Sequence, residues 1–373
     1  MSFSRFRASQ RNLPYLQGRW DTDLIPAALN KARASGCATD WINYLDICHS
    51  LQGISLPEWQ IVADHYLVLK LRSPKLFFRL VNFALTPGLL QNLIQEDRLK
   101  CQSLIQNLPT AHFNAGLHDC LYSGYLGTQV SHYPRLLNST KAPWSPTLYF
   151  SHQRKSHAER AYKLESLETP FSCLISQTLA EGSRQDSTSH LPNIAVVGNS
   201  PIILKKNQGD EIDEADIVIR FNHISQPHLT QQQTGKRTDL WVMSPATPIE
   251  NCPQDAKGVI VTGLHALRRP SFYWKTLPLA GRLLSELPDT NWHELVRCFQ
   301  APPSAGTLLL ASLSSLPMEM NIRCYGFTTN TLDLSNLPNH HADDKPRSTR
   351  HNWHTEACWL SNHFPEISQP NSF

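Results

Sequence analysis

His351 and Glu356 stand at the two ends of the segment His351-Asn352-Trp353-His354-Thr355-Glu356. A histidine titrates near neutrality and suits the removal of a proton from a hydroxyl, which is general-base work. Side chains at i and i+5 do not share a helix face, so the spacing predicts His351 just before or at a helix start and Glu356 one turn in. A second group, His340, His341, Asp343 and Asp344, crowds with His351 and His354 into one short stretch. A metal site is one reading of that stretch, on condition that several side chains converge on one ion. Pro303-Ser304-Ala305-Gly306-Thr307 opens the helix-like run Leu308 to Leu316. A small-residue turn before a helix presents backbone N–H groups and the positive end of the helix dipole, a ready anion site, although any helix start has the same ingredients. Val196-Val197-Gly198-Asn199-Ser200 is a strand ending in a turn that brings two polar side chains to a crevice. It lacks the G-x-G-x-x-G dinucleotide fingerprint, and by itself it is a strand end of any kind.

These segments occur in a fixed order. Val196 to Ser200 is followed by Gly209, by Ile212-Asp213-Glu214-Ala215-Asp216-Ile217-Val218-Ile219-Arg220-Phe221-Asn222, and by Gly235-Lys236-Arg237-Thr238. The stretch resembles the large sialyl motif of the sialyltransferases, glycosyltransferase family 29. Pro303-Ser304-Ala305-Gly306, with Tyr325-Gly326-Phe327 downstream, resembles the family's small motif; Ala305 stands where the family has a hydroxyl residue. Asn339 to Asp344 resembles the third motif with His341 aligned, Ala342 and Asp343 replacing two aromatics. His351 to Glu356 matches the very small motif, H-x-x-x-x-E. The resemblance spans Asn193 to Leu360.

That resemblance implies an inverting transfer of an acidic sugar from its cytidine-monophosphate (CMP) carrier to a glycan or glycolipid hydroxyl. It implies His351 as the general base and His341 beside the donor phosphate. Asn199 and Asn222 are expected on the nucleotide through amides that both donate and accept. Ser200 shares that contact, and Ser304, Ala305 and Gly306 line the donor pocket. Glu356 is expected to be structural, and Arg220 and Arg237 to pair with Asp213, Asp216 or Asp239. The leaving group carries one phosphate, so donors and a dipole suffice and neither cofactor nor divalent metal is expected. The D-x-D of Asp21-Thr22-Asp23 lies far from these motifs. CMP-sialic acid is the family's usual donor, and CMP-Kdo is the alternative, since both carry a carboxylate beside the anomeric carbon. A His-rich metal-binding protein and a non-catalytic nucleotide-binding protein are the readings from other classes.

The elements that must position these residues follow from pattern. Ile194 to Gly198, Ile217 to Ile219, Val259 to Gly263 and Ile322 to Phe327 are short β-branched apolar runs separated by helix-length segments. This predicts an α/β domain with a largely parallel sheet, ligands binding at the carboxyl ends of its strands. The family likeness makes it a Rossmann-like variant of the GT-A glycosyltransferase fold. Residues 1–109 read as a helical N-terminal region. There Ser55-Leu56-Pro57-Glu58 is a helix start, followed by Ile61, Val62, Tyr66, Leu67 and Leu69 at helical spacing; Leu89 to Leu99 makes another such face. Residues 110–190 read as a loop-rich connector with a charged helix over 157–166 and a polar linker over 182–190. Residues 191–373 form the predicted catalytic domain.

The chain has 373 residues, 40% of them hydrophobic, which excludes wholesale disorder. With 34 basic and 31 acidic residues, no strong field favours nucleic acid. No secretory signal and no membrane-length apolar run is apparent, though a peripheral contact with the inner membrane is compatible with a glycolipid acceptor. The nine cysteines are widely spaced and contain no C-x-x-C, the pattern of free thiols in a reducing compartment. Secreted animal members of the family commonly bridge a Cys opening the large motif to one in the small motif. Ile194 and the neighbourhood of Pro317 stand in those places, which points to a cytoplasmic, bacterial-type member. Oligomeric state is left open.

Overall fold

The computed structural model describes residues 20–68, 73, 76, 79–80, 83, 171–182, 191–222, 227–244, 247, 251–262, 282–329 and 351–367. The chain separates into two compact units, Met1–Glu159 with Leu267–Trp274, and Arg160–Ala266 with Lys275–Phe373. The apolar face over Leu89 to Leu99, the helix over 157–166 and most of the connector lie outside the described residues.

In the first unit, helices α1 (Leu24–Ser35), α2 (Ala38–Leu51) and α3 (Leu56–Val68) follow one another. Gly36, in the left-handed region, ends α1. The start of α3 carries the return half of a capping box: Glu58 accepts from the Ser55 backbone N–H at 2.7 Å and also from the Ser55 hydroxyl. Trp41, Tyr44, Leu45, Cys48, Leu51, Trp59, Val62 and Tyr66 are buried, so the apolar stripes of α2 and α3 supply this unit's core.

The second unit is built on six strands: β1 (Asn193–Val197), β2 (Ile217–Phe221), β3 (Leu240–Met243), β4 (Gly258–Val261), β5 (Leu283–Glu286) and β6 (Asn321–Tyr325). Their order is β5-β4-β3-β2-β1-β6, and every pairing is parallel. This meets the expectation of an α/β fold with a parallel sheet. Strands β1 to β4 are buried on both faces, which is why they read as unbroken apolar runs rather than alternations. Helix α4 (Phe171–Gly182) packs against β2 and β5. Short α5 (Gly209–Asp213) and α6 (Pro227–Thr234) flank β2, and α7 (Asp289–Phe299) and α8 (Ala305–Ser314) lead into β6. Helix α9 (Trp353–His363) packs against α7.

The chain steps outward from β1 through β2 to β5 and then returns to the other side of β1 as β6. The carboxyl ends of β1 and β6 are therefore a topological switch point, where open α/β sheets bind ligands. The two strand ends touch. Gly198 donates its N–H to the Tyr325 carbonyl at 2.7 Å, and a Cβ on Gly198 would lie 2.9 Å from the Gly326 oxygen. Only glycine admits that approach.

Candidate active site at the strand switch point

The turn after β1 carries two of the candidate residues. Asn199 donates its amide Nδ2 to the Phe221 carbonyl at 3.0 Å, tying this turn to the end of β2. Ser200 caps the short 3-10 helix Pro201–Lys205, its hydroxyl accepting from the Ile202 N–H. Asn222, directly after β2, sits in the left-handed region at φ 47°. Its carbonyl accepts from the Trp241 indole at 2.8 Å. Its Oδ1 accepts from the Ser244 backbone N–H at 2.8 Å and from the Thr247 hydroxyl at 2.6 Å. A backbone N–H can only donate, so the amide's orientation is fixed. The acceptor half of Asn222 holds the turn after β3, and Nδ2 makes no hydrogen bond among the described residues.

The first turn of α8 is the second part of the site. Ser304 is its cap: the hydroxyl accepts from the Thr307 N–H at 3.3 Å and lies 3.1 Å from the Thr307 hydroxyl. The Ser304 N–H donates to Glu356 Oε1 at 2.9 Å, and the Thr307 hydroxyl donates to Glu356 Oε2 at 2.6 Å. Glu356 is 2% exposed, so a buried carboxylate clasps the positive end of α8 from behind. The N–H groups of Ala305 and Gly306 take no acceptor among the described residues. Ala305 contributes only its backbone there. A Cβ on Gly306 would lie 2.8 Å from the Phe327 ring, and the same ring lies 3.2 Å from where Gly198 would carry one. Phe327 thus packs the α8 turn onto the β1 turn, with Phe221 edge-on at 6.4 Å.

His351 is the third part. It precedes the cap of α9, Asn352, whose Oδ1 accepts from the Thr355 N–H and whose Nδ2 donates to the Phe299 carbonyl at 3.1 Å. The imidazole Nδ1 is 2.8 Å from the Pro302 carbonyl oxygen. A carbonyl has no proton to give, so Nδ1 carries the hydrogen and Nε2 is the basic nitrogen of the neutral ring. Glu356 Oε1 is 3.9 Å from Nδ1, too far for a hydrogen bond, and its oxygens are committed to Ser304 and Thr307. The Trp353 ring meets the imidazole edge-on at 5.1 Å.

Arg220 and Arg237 lie behind this site. Arg220, 4% exposed, donates to the Arg237 and Thr234 carbonyls at 2.8 and 2.6 Å and stands 4.0 Å from Asp213. Burial pushes its guanidinium down to about 10, against the pull of Asp213. Arg237 donates to the Asp213, Ala215 and Asp216 carbonyls and pairs with Asp239 at 2.8 Å. The Asp213 carboxylate accepts from the Lys236 and Arg237 N–H groups. Gly235 at φ 68° has no room for a side chain beside it, since a Cβ would lie 2.5 Å from Asp213 Oδ1. Asp216 and Asp239 accept from the Asn193 and Val218 N–H groups. The charged half of the large motif is therefore the fastening between β1, β2 and β3.

His341, with His340, Asp343 and Asp344, lies outside the described residues. Among the described residues no three His, Cys, Asp or Glu side chains gather to hold a metal. Three contributors had no expected role: Thr307 and Phe327, quoted only as motif members, and the Pro302 carbonyl. Thr307, three residues after the Ser304 cap, was legible as a polar first-turn position. The other two act through a backbone oxygen and through packing, which no residue pattern announces.

Residues 136–274 match the family model of glycosyltransferase family 29 (sialyltransferase). That span holds Asn199, Ser200, Arg220, Asn222 and Arg237 and ends before Ser304. No curated protein matches the chain. One similar solved structure is a mammalian sialyltransferase in complex with Gal-beta-1-3GalNAc-ortho-nitrophenol, 14% identical with a TM-score of 0.34, over 60% of this chain and 88% of that one. Another is a mammalian sialyltransferase, 15% identical with a TM-score of 0.34, over 58% of this chain and 82% of that one.

Proposed function

We propose that this chain, a glycosyltransferase carrying a family 29 domain, moves sialic acid from CMP-sialic acid to a hydroxyl of an acceptor glycan, inverting the anomeric carbon, with His351 as base and no divalent metal. The observation that carries the reading is the fixed tautomer of His351. The Pro302 carbonyl holds the hydrogen on Nδ1, which leaves Nε2 to accept a proton. Pro302 is two residues from the cap of α8, so base and anion site share one short segment. The acceptor hydroxyl gives its proton to Nε2 as its oxygen attacks the anomeric carbon. The bond from that carbon to the phosphate oxygen breaks, and CMP leaves with the bonding electron pair. The N–H groups of Ala305 and Gly306 and the α8 dipole stand where the growing phosphate charge would be stabilised. His341 would add a hydrogen bond to the departing oxygen. Asn199, Ser200 and the Asn222 Nδ2 would hold the nucleotide, with 191–373 as the catalytic part.

CMP-Kdo is the alternative donor. We place the enzyme in the cytoplasm, since Cys37, Cys48, Cys173, Cys252, Cys298, Cys324 and Cys358 are free thiols. Among the described residues no helix is long and apolar enough to cross a membrane. A glycolipid acceptor would be met by peripheral contact.

The test is CMP release from CMP-sialic acid and CMP-Kdo, with UDP- and GDP-sugars beside them, with and without EDTA. Release from one CMP-sugar, unchanged by EDTA and lost in His351→Ala, supports the reading. Turnover of UDP- or GDP-sugars only overturns it, and inhibition by EDTA overturns its metal independence.

A further inference from the structure

A base needs its acceptor held in place, and the residue beside the base is an aromatic one. The remaining tryptophans of the sheet-bearing unit fall into two kinds. Trp241 and Trp292 are buried at 0% and 3% exposure and act as core. Trp353 and Trp359 are half-buried, both on α9, and Trp359 is stacked on His363 at 4.1 Å. Trp353 alone among the four meets His351, its ring centroid 5.1 Å away and its plane inclined at 68°. Trp353 is also the first residue of α9, a position made rigid by Asn352, which is bonded both forward to Thr355 and across to Phe299.

We propose that the indole of Trp353 is the platform on which the acceptor sugar stacks while its hydroxyl meets Nε2 of His351. The inference rests on the reaction proposed above and adds the acceptor's binding residue. A hydroxyl within hydrogen-bond reach of Nε2 brings the pyranose that carries it beside the imidazole, where Trp353 is the aromatic wall. A pyranose has an apolar C–H face rimmed by hydroxyls. A partly exposed indole offers such a face a large rigid apolar surface.

The test compares the wild type with Trp353→Ala and Trp353→Phe. With the acceptor identified by the donor screen, acceptor KM rises about tenfold or more in the alanine variant. Donor KM stays within about twofold, and Trp353→Phe restores most of the loss because it keeps an aromatic face. An unchanged acceptor KM, or equal rises in both KM values, overturns the proposal. A second measurement does not need turnover: saturation-transfer NMR with methyl β-galactoside, methyl β-glucoside and methyl β-N-acetylgalactosaminide. Transfer from the wild type that is lost in Trp353→Ala supports the platform; equal transfer in both, or none to the wild type, overturns it. Failure to turn over any CMP-sugar strikes the proposed reaction, and the NMR result still decides the platform.

Discussion

Replacing Glu356 separates hydrogen bonding from charge at the centre of the site. Its carboxylate is 2% exposed and accepts from the Ser304 N–H at 2.9 Å and the Thr307 hydroxyl at 2.6 Å. Glu356→Ala leaves one buried and one part-buried donor without an acceptor, at about 1–3 kcal/mol each, so about 2–6 kcal/mol before any cavity is counted. Glu356→Gln behaves differently. Its Oε1 still accepts from Ser304, and its Nε2 faces Thr307, whose hydroxyl can turn to accept from it and donate to the Ser304 hydroxyl 3.1 Å away. What is lost is the charge assistance, about 1–2 kcal/mol. For a unit of this size about 2–4 °C of Tm follows each kcal/mol, so the alanine variant melts about 4–24 °C lower and the glutamine variant about 2–8 °C lower. The assay is urea and thermal unfolding followed by far-UV circular dichroism, with donor KM measured in parallel. Donor KM rises in the alanine variant, because the first turn of α8 loses its anchor, and changes little in the glutamine variant. A glutamine variant as unstable as alanine, or an alanine variant within about 1 kcal/mol of wild type, refutes the argument that the carboxylate works by satisfying those two donors.

His351→Ala lowers kcat by about 10²–10⁴, measured by CMP release, with the melting temperature nearly kept. Gly198→Ala forces a Cβ to 2.9 Å from the Gly326 oxygen and costs about 1–3 kcal/mol in urea unfolding. Arg237→Lys cannot reproduce the guanidinium fork on the Asp213, Ala215 and Asp216 carbonyls and loses about 2–4 kcal/mol in the same assay. Burial pushes the Cys48 thiol up to about 12, so in native protein at about pH 8 iodoacetamide labels Cys37, Cys173, Cys298 and Cys358 and spares Cys48, as read by mass spectrometry. The same shift has a thermodynamic consequence. The unfolded thiol ionises from its ordinary value of 9.0 while the folded one does not, so this contribution to stability is full below pH 9 and declines toward about 12.

Four of the six strands were legible as short β-branched apolar runs: β1, β2 and β4 are buried along their length and must be apolar throughout, whereas the edge strand β6 buries only Tyr325 and was read from Ile322 and its Tyr-Gly-Phe ending. The two missed strands had weaker patterns. Leu240-Trp241-Val242-Met243 is short and carries one β-branched residue, and Leu283-Leu284-Ser285-Glu286 has none. The start of α3 was legible because the Ser55–Glu58 pairing at a helix start is local chemistry. The family likeness came from ordered short motifs, and it named Asn199, Asn222, Ser304, His351 and Glu356 without saying what each touches.

The sequence by itself determined the kinds of atoms available and their order: a histidine, a glycine-bearing strand end, a small-residue helix start. Those follow from side-chain chemistry and from periodicity along a few neighbouring residues. Only the tertiary structure decided which contacts those atoms make. It turned the Asn222 acceptor inward, because a backbone N–H from the β3 turn stands opposite it. It committed Glu356 to α8 rather than to His351, because two donors lie closer than the imidazole. It fixed the proton of His351 on Nδ1, because a carbonyl 49 positions away along the chain is the group that ring meets. Such partners are distant in sequence, and only the path of the chain through the sheet brings them within hydrogen-bond reach.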